Sequence, residues 1–391
     1  MRAHINAHAS EEGHKKVVEM LLNKGALFDD EDESGRTALN LASAKGYIKI
    51  VDLLLNKRAQ VDARDRFRRT ALHAASENGH EQVVEALLNS GADINAKDKF
   101  GWTALYFASR KGHGGVVKIL LAEKAHVDAS DRSERTALHE ASENGYEQVV
   151  KALLNSGADI NAKDKFKCTA LHFASREGHR GVVKILLDKG AQVNAKGKLK
   201  STALYEASGN GHKEVVEMLL DKKADVKARE QFGRTALYVA SEKGYIEVVD
   251  MLLDRKPRVD ARDGIGCTAL HVASANGHEK VVERLLDKRA DINAQDEDND
   301  TALHFASQKG HGGVVEILLD RKARVDARGK FRRTALHEAS AHGRKGIVKQ
   351  LLKNGADIYA EDEKQRTALY FALLEGHRGV VTDYIELSVG S

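Results

Sequence analysis

The apolar residues of this chain fall into two helical stripes that recur together. In residues 98–125, DKFGWTALYFASRKGHGGVVKILLAEKA, the longer stripe has the i, i+1, i+4, i+5 spacing of an amphipathic helix. Its members are Val116, Val117, Leu120 and Leu121. A shorter apolar group precedes it and consists of Ala104, Leu105 and Ala108. We expect Thr103 to cap this first helix and Gly112 to end it through a left-handed backbone conformation.

The same unit returns every 33 residues without an insertion. Its Thr-Ala-Leu motif begins at Thr37, Thr70, Thr103, Thr136, Thr169, Thr202, Thr235, Thr268, Thr301, Thr334 and Thr367. A unit of this length is shorter than the ~40 residues below which chains rarely fold alone, so each must bury its apolar faces against its neighbours. The period therefore predicts an all-α repeat solenoid of about twelve repeats.

The repeat resembles the ankyrin repeat over essentially the whole chain. The motif Thr-Ala-Leu-His begins at Thr70, Thr136, Thr169, Thr268, Thr301 and Thr334. It is followed by Gly-His, Val-Val and Leu-Leu pairs, and by Gly-Ala-Asp-Ile-Asn at residues 91–95 and 157–161. The resemblance implies an ankyrin repeat stack, with a helix–turn–helix and a β-hairpin loop in each repeat.

Two features depart from the family pattern. Every repeat has Ala where the family usually has Pro after the Thr, so the first helical turn is less pre-organised. The Gly that ends the second helix is replaced by Arg58, Lys124, Lys223, Lys256, Arg289 and Lys322. Each replacement should cost a little stability if the left-handed conformation is kept.

The uninterrupted period, without a Pro- or Ser-rich linker, predicts one domain over residues 1–391. Within it we expect a degenerate N-terminal capping repeat at residues 1–31, ten regular repeats at 32–361, and a C-terminal capping repeat at 362–391. In the last repeat, Asp383 and Glu386 should enter a surface that no further repeat covers. The segment of residues 76–100 recurs nearly unchanged 66 residues later, which indicates that pairs of repeats were copied together.

Composition and charge indicate which partners and which cellular location the protein can be expected to have. Lys plus Arg (62) and Asp plus Glu (58) nearly cancel to +4, a balance that does not predict nucleic acid or an anionic membrane as partner. No apolar run suits a signal peptide or a membrane span. Cys168 and Cys267 occupy the same position in repeats 99 residues apart, too far for a disulfide, so we expect reduced thiols. Together these features predict a soluble, monomeric, intracellular protein that is located in the cytoplasm, with the nucleus as the alternative.

The sequence predicts no catalysis. Fourteen of the eighteen histidines are the His of Thr-Ala-Leu-His or of Gly-His, and the resemblance implies that they bond hairpin and helix backbone. His139-Glu140 and His337-Glu338 do not continue as a zinc-protease motif, and Gly112-His113-Gly114-Gly115 follows a helix end and not a strand. We therefore expect no enzyme activity, no cofactor, no metal and no small-molecule substrate.

The placement of phenylalanine suggests a partner-binding surface. In an ankyrin-like stack the residue after Thr-Ala-Leu-His/Tyr faces the concave groove; we call these residues the groove row. They are Leu41, Ala74, Phe107, Glu140, Phe173, Glu206, Val239, Val272, Phe305, Glu338 and Phe371. Aromatic residues and Arg carry much of the binding energy in interfaces. The partner-binding residues predicted on the groove row and the hairpin tips are Phe67, Phe100, Trp102, Phe107, Arg110, Glu140, Glu143, Phe166, Phe173, Arg176, Glu206, Phe232, Phe305 and Phe331.

The function predicted from these residues is a non-catalytic scaffold that binds a peptide segment or a folded protein along the groove and the tips. Phe100, Trp102, Phe107, Phe166 and Phe173 should form the anchor patch, with Glu140, Arg110 and Arg176 at its rim. Alternatives are an engineered or reconstructed scaffold without a natural partner, the recognition arm of a larger protein, and a nucleic-acid or phosphoinositide binder that uses its basic tips. The resemblance also implies possible hydroxylation at Asn95, Asn161, Asn194 and Asn293.

Overall fold

Each Thr-Ala-Leu motif begins a short inner helix, and an outer helix follows it. The structure is a computed structural model and describes residues 8–24 and 29–389. The inner helices are Ala38–Lys45, Ala71–Glu77, Ala104–Lys111, Ala137–Glu143, Ala170–Glu177, Ala203–Gly209, Ala236–Lys243, Ala269–Ala275, Ala302–Lys309, Ala335–Ala341 and Ala368–Leu374. The outer helices are Lys15–Asn23, Ile48–Asn56, Glu81–Asn89, Gly114–Ala122, Glu147–Asn155, Arg180–Asp188, Lys213–Asp221, Ile246–Asp254, Glu279–Asp287, Gly312–Asp320, Lys345–Lys353 and Arg378–Val389.

The inner helices begin and end as the sequence predicts. Thr103 has an extended backbone, and its hydroxyl accepts the N–H of Tyr106 at 3.2 Å. In the His-containing repeats the cap is reciprocal, since the Nδ1 of His73 accepts the N–H of Thr70 at 3.0 Å. Gly112 ends its helix with a φ of 78°, which confirms the predicted left-handed exit.

The outer helices from Lys15–Asn23 to Lys345–Lys353 have no side-chain hydrogen bond at their N-caps, and burial of their apolar stripe holds them in place. Val116, Val117 and Leu120 are fully buried, while Leu121 is half-buried. All six basic residues that replace the terminal Gly keep a left-handed backbone, with φ between 53° at Lys256 and 68° at Arg58. The predicted strain is therefore present at each of these helix ends.

The helices form two compact units, residues 1–198 and 199–391. Within each unit, successive inner helices pack against one another, and successive outer helices do the same one layer further out. Each unit is a stack of helix pairs, which confirms the predicted all-α repeat solenoid. The grouping of residues 1–391 into one domain stays a prediction.

Hairpin loops join the repeats, and an acidic residue shapes most of them. The N–H of Asp98 donates to the carbonyl of Trp102 at 3.0 Å, and the Asp98 carboxylate accepts the N–H groups of Phe100 and Trp102 at 2.8 and 2.9 Å. Gly329 stands at this position in another repeat, and there Phe331 and Arg332 both have positive φ, within the short 3₁₀ helix Lys330–Arg332. A second 3₁₀ helix spans Lys198–Lys200. The described residues contain only isolated β-bridges, between Ser130 and Thr136 and between Glu361 and Thr367.

The structure tests only part of what was predicted for the two capping repeats, and it corrects one prediction. Residues 1–7 and 25–28 of the predicted N-terminal cap lie outside the described residues. At the other end, Glu386 is exposed as expected, but the prediction for Asp383 is wrong because that residue is buried. Its carboxylate pairs with the ammonium groups of Lys345 and Lys349 at 3.5 and 3.3 Å. The preceding outer helix therefore covers this side chain.

Candidate partner-binding face

Exposed apolar side chains stand at the tips of many of the hairpins. In residues 1–198 the tip residues Phe67, Phe100 and Phe166 are 46%, 40% and 52% exposed. A backbone hydrogen bond joins each of the first two tips to the next hairpin: Lys99 N–H donates to Phe67 at 2.9 Å, and Arg132 N–H donates to Phe100 at 3.1 Å. These bonds hold the rings in a fixed row at the edge of the stack.

The unit of residues 199–391 has its own row of exposed tips. Its members are Leu199, Phe232, Ile265 and Phe331, each between 43% and 61% exposed. Leu199 and Ile265 were not among the predicted binding residues. Their position at the hairpin tip, one repeat before and one repeat after Phe232, is the sequence signal that identifies them. We call the apolar tip residues of each unit the tip row of that unit.

Basic side chains lie over the exposed rings. The Lys99 ammonium lies 3.7 Å from the centroid of the Phe67 ring and 4.9 Å from that of Phe100. Lys198 approaches Phe166 in the same unit at 5.1 Å, and Arg234 approaches Phe232 at 5.7 Å. The tips thus combine an apolar ring with a nearby positive charge.

The phenylalanines of the groove row lie deeper than those of the tips. Phe107 is 1% exposed, Phe173 and Phe371 are also buried, and Phe305 is half-buried. Each packs edge-to-face against the His of the preceding Thr-Ala-Leu-His, as Phe107 does against His73 at 5.7 Å. A partner therefore reaches the Phe107 and Phe173 rings only if neighbouring side chains move away.

Three arginines that stand just before the Thr of a motif, Arg69, Arg135 and Arg333, cover buried rings of the following repeat. The guanidinium of Arg135 lies 4.6 Å from the Phe173 ring centroid and also pairs with Glu140 of its own repeat at 2.8 Å. Arg333 repeats the arrangement, at 4.3 Å from Phe371 and 3.5 Å from Glu338. We call these residues linker arginines because each joins two successive repeats. They were not among the predicted binding residues.

Glu140 occupies the centre of a polar network. It is 3% exposed, and its Oε1 accepts the Tyr106 hydroxyl at 2.7 Å. Arg110 approaches its other oxygen at 3.7 Å, and Glu143 pairs with the same Arg135 that contacts Glu140. Burial raises the pKa of the Glu140 carboxyl, and it raises the pKa of the Tyr106 hydroxyl strongly. Glu140 therefore lies beneath the surface and not at its rim.

Trp102 forms one wall of a cavity beside this network. The half-buried indole stacks on Tyr106 with centroids 5.2 Å apart, and its N–H donates to Asp131 at 3.2 Å. The Arg110 guanidinium lies 5.0 Å from the indole centroid. The cavity has a volume of about 290 Å³ and is lined by Trp102, Tyr106, Arg110, Asp131, Ser133, Arg135, Glu140, Glu143 and Asn144.

Two further predicted residues lie apart from this cavity. Arg176 is half-buried and lies 5.7 Å from the Phe173 ring centroid, so it supports that ring from its own repeat. Glu206 is half-buried, and its Oε1 accepts the Ser201 hydroxyl at 2.7 Å. Ser201 thus takes the place at which Arg135 and Arg333 stand in other repeats.

The recurring histidines bind backbone, as the resemblance implies. His73 Nε2 lies 3.0 Å from the carbonyl of Ala96 and 3.1 Å from that of Trp102, and His80 Nε2 lies 3.0 Å from the carbonyl of Ala44. Burial lowers the pKa of His73, which favours the neutral ring that these bonds use. In the part of the chain that the structure describes, no three His, Cys, Asp or Glu residues are grouped to hold a metal ion.

Comparison with known proteins agrees with the fold and geometry. The family model described as "Ankyrin repeats (3 copies)" matches overlapping segments from residue 6 to residue 383. The chain belongs to the ankyrin repeat family. Ankyrin repeats are generally protein–protein interaction modules and are typically not catalytic.

A solved ankyrin structure supports the assignment. The crystal structure of the human ASB11 ankyrin repeat domain is 29% identical to this ankyrin chain, with a TM-score of 0.53. The match covers 56% of this chain and 98% of that domain. A search of curated proteins returned no match. None of the helices in the described residues has the length and apolar character to cross a bilayer.

Proposed function

We propose that this ankyrin repeat protein is a non-catalytic scaffold that binds a peptide segment or a folded partner through the tip row of residues 1–198 and the adjacent Trp102 cavity. The observation that carries the proposal is the exposure of Phe67, Phe100 and Phe166 at the tips of one unit. Exposed apolar groups that lie close together mark interaction surfaces, and aromatic residues are enriched among the anchors of interfaces.

The charged residues beside the tips add specificity. Arg110 keeps 44% of its side chain exposed, and Glu143 keeps 32%. Both line the Trp102 cavity, so a partner that approaches Phe100 meets a positive and a negative group at fixed positions. Charges at the edge of an interface set orientation and association rate more than affinity.

The groove phenylalanines serve this surface indirectly. Phe107 and Phe173 support Arg69 and Arg135, whose guanidinium groups lie 4.6 Å from the respective ring centroids. Direct contact of these two rings with the partner stays a prediction, as do the cytoplasmic location and the monomeric state. We place the principal anchors at the tips because their rings are already accessible.

The test is capture of proteins from a cell lysate by the wild-type chain and by the triple variant Phe67→Ser, Phe100→Ser, Phe166→Ser. The matched control is Phe232→Ser, Ile265→Ser, Phe331→Ser, which removes the same kind of side chain from the tips of the other unit. Circular dichroism first verifies that all three proteins have equal helix content. Proteins that the wild type and the control retain and the first variant loses support the proposal.

Equal retention by all three chains would contradict it. A protein retained by all three binds elsewhere, and direct titration at 50 and 300 mM salt shows whether charge alone attracts it. Affinity that falls by orders of magnitude over this range would indicate a polyanion and not an aromatic anchor.

A further inference from the structure

Side-chain oxygens form a ladder along the loops between each outer helix and the following hairpin. In each case an Asp or Asn accepts the backbone N–H of the residue 31 positions later, in the next repeat. The acceptors are Asp29, Asp62, Asn95, Asp128, Asn161, Asp260, Asn293 and Asp326, with donor–acceptor distances of 2.8 to 3.1 Å. The ladder satisfies a backbone group that no helix or hairpin bond uses.

The ladder is broken at Lys227. This residue occupies the position of Asp260 one repeat earlier, and an ammonium group cannot accept a hydrogen bond. The N–H of Arg258, which lies 31 residues later, has no acceptor among the described residues. With Lys227 in place of Asp or Asn, the Arg258 N–H is left without an acceptor. The Lys227 ammonium is in addition a second group that requires a negatively charged partner.

The single proline of the chain adds a second defect in the same loop. In neighbouring repeats Ala224 and Ala290 donate their N–H to Leu219 and Leu285 at 2.9 and 3.0 Å, which closes the end of the outer helix. Pro257 stands at this position and has no N–H. The loop that contains Arg258 therefore lacks two of the bonds that close the corresponding loops.

A cavity of about 460 Å³ lies at this place. It is lined by Lys227, Arg229, Arg258, Asp260, Ala261 and Arg262, which is four cationic side chains against one carboxylate, a net charge of +3. The Asp260 carboxylate is already engaged, since it accepts the N–H of Asp291 at 2.9 Å. The positive charge of the cavity is therefore largely uncompensated.

Two of the four cations are held in place by backbone. Arg229 donates to the carbonyl of Gly233 at 2.9 Å and also to that of Arg262. Arg262 donates to the carbonyls of Gly266 and Gln295. A guanidinium has five N–H donors, so each keeps further donors for a ligand while its position is fixed.

We propose that this cavity binds a phosphate group, one of whose oxygens accepts the Arg258 N–H in place of the missing carboxylate. A doubly charged oxyanion suits the site better than a carboxylate does, because it has several acceptor oxygens and meets a net charge of +3. The site lies on the loops of the second unit and is independent of the tip row of residues 1–198. It stands whether or not the proposed protein-binding function is correct.

The experiment is calorimetric titration of inorganic phosphate into the full chain and into Lys227→Asp, in a chloride buffer of low ionic strength. The Asp variant restores the ladder residue found at Asp62, Asp128, Asp260 and Asp326, so the loop should fold at least as well as the wild type. We expect at least a tenfold loss of phosphate affinity together with an unchanged or raised melting temperature. Because the two effects differ in sign, loss of binding cannot be due to unfolding.

The matched control is Lys364→Asp, which makes the same charge change at an exposed hairpin tip in another repeat of this unit. Its phosphate affinity should stay within twofold of the wild type. Equal binding by Lys227→Asp and the wild type would overturn the proposal, and so would an equal loss in both variants, which would indicate attraction by net charge. No measurable phosphate binding by the wild type would overturn it as well.

Two further titrations define the ligand. Acetate should bind at least tenfold more weakly than phosphate, and equal affinity would overturn the assignment to a doubly charged oxyanion. Phosphoserine separates the possible sources of the phosphate, since tighter binding than inorganic phosphate indicates a group carried by a larger molecule. Weaker binding of phosphoserine indicates the free ion.

Discussion

Basic residues in left-handed conformations are a defect that recurs at the end of six outer helices. Lys124 has a φ of 63°, a region in which a Cβ atom approaches the following carbonyl oxygen. The sequence predicted the site of each defect because Gly stands at the same position in other repeats. The sequence could not show that these residues keep the left-handed conformation, because the loop could instead have changed its backbone conformation and lost its hydrogen bonds.

Lys124→Gly should therefore stabilise the protein by ~1 kcal/mol, which is the order of the left-handed penalty. Urea unfolding followed by circular dichroism measures the change. Lys118→Gly in the middle of the same outer helix is the control and should destabilise by about 1 kcal/mol, since Gly is unfavourable in a helix interior. A decrease in stability for Lys124→Gly would show that the Lys side chain makes a compensating contact.

Buried histidines make the fold sensitive to acid. Burial lowers the pKa of His73, His139, His271 and His337 in the folded protein, while the unfolded value is about 6.5. Below pH ~6.5 the unfolded chain therefore binds more protons than the folded chain does. The stability that these residues contribute is fully present above pH ~6.5 and is lost as the pH falls toward the lowered folded values.

Replacement of these four histidines by Asn should reduce the fall of the melting temperature between pH 7 and pH 5. Asn40 shows that Asn fits this position, because its Oδ1 accepts the N–H of Thr37 at 3.0 Å and its Nδ2 donates to the carbonyl of Ala63 at 3.4 Å. Thermal melts of the variant and the wild type across this range provide the measurement. His126→Asn, which makes the same substitution at an exposed position, is the control.

The roles of individual groove residues were less predictable than their positions. Phe107 was placed correctly on the row, but its burial depends on Arg69, which is 38 residues away in sequence and 4.6 Å from the ring centroid in space. Glu140 was expected at a rim, yet Tyr106 from the preceding repeat covers it. Such pairs depend on side-chain reach between repeats, which a one-dimensional pattern does not contain.

The inner helices were predictable almost to the residue. Their N-cap Thr and terminal Gly are local signals, and the period placed them in register eleven times. The conformations of the hairpins were less predictable. The Asp98 carboxylate holds the turn at residues 98–102, whereas in the repeat that has Gly329 at this position Phe331 and Arg332 have φ of 56° and 58°. One residue thus selects between two turn conformations.

The Ala after each Thr offers a route to a more stable inner helix. Ala104 is the first residue of its helix, where the N–H has no helical partner, and the extended backbone of Thr103 suits a following proline. Ala104→Pro should raise stability by roughly 0.4–1 kcal/mol, because proline restricts the unfolded chain.

Thermal unfolding tests this change. The control is Ala108→Pro in the interior of the same helix, which should cost ~3 kcal/mol or more by breaking a helical hydrogen bond. A destabilised Ala104→Pro protein would show that the Ala104 site has no room for the proline ring.

At the scale of the whole molecule, stability depends on contacts between neighbouring repeats. Leu285 is fully buried in the outer helix Glu279–Asp287, and this helix packs against the outer helices on either side. In a repeat stack the total stability is a sum of repeat and interface contributions. A local defect should therefore weaken its own repeat most and its neighbours less.

Leu285→Ala should cost ~2–5 kcal/mol through the cavity it leaves. Hydrogen exchange measured by mass spectrometry should show the largest loss of protection in residues 279–287. Smaller losses should follow in Ile246–Asp254 and Gly312–Asp320, with the least change in Arg378–Val389 of the same unit. Uniform loss across the unit would show instead that it unfolds as one cooperative body.

The packing of the linker arginines on phenylalanine also restricts which repeats the gene for this protein can gain or lose. Arg69 covers Phe107, and Arg135 covers Phe173 in the same way, with Glu140 in the repeat between the two rings. A deletion of 33 codons by unequal recombination would bring Glu140 to the place of Phe107, whereas a deletion of 66 codons would bring Phe173 there. Each codon has three base pairs, so one repeat corresponds to 99 base pairs and a pair of repeats to 198. In this stretch the gene can therefore gain or lose 198 base pairs without exchanging an aromatic ring for an acid, whereas a change of 99 base pairs makes that exchange.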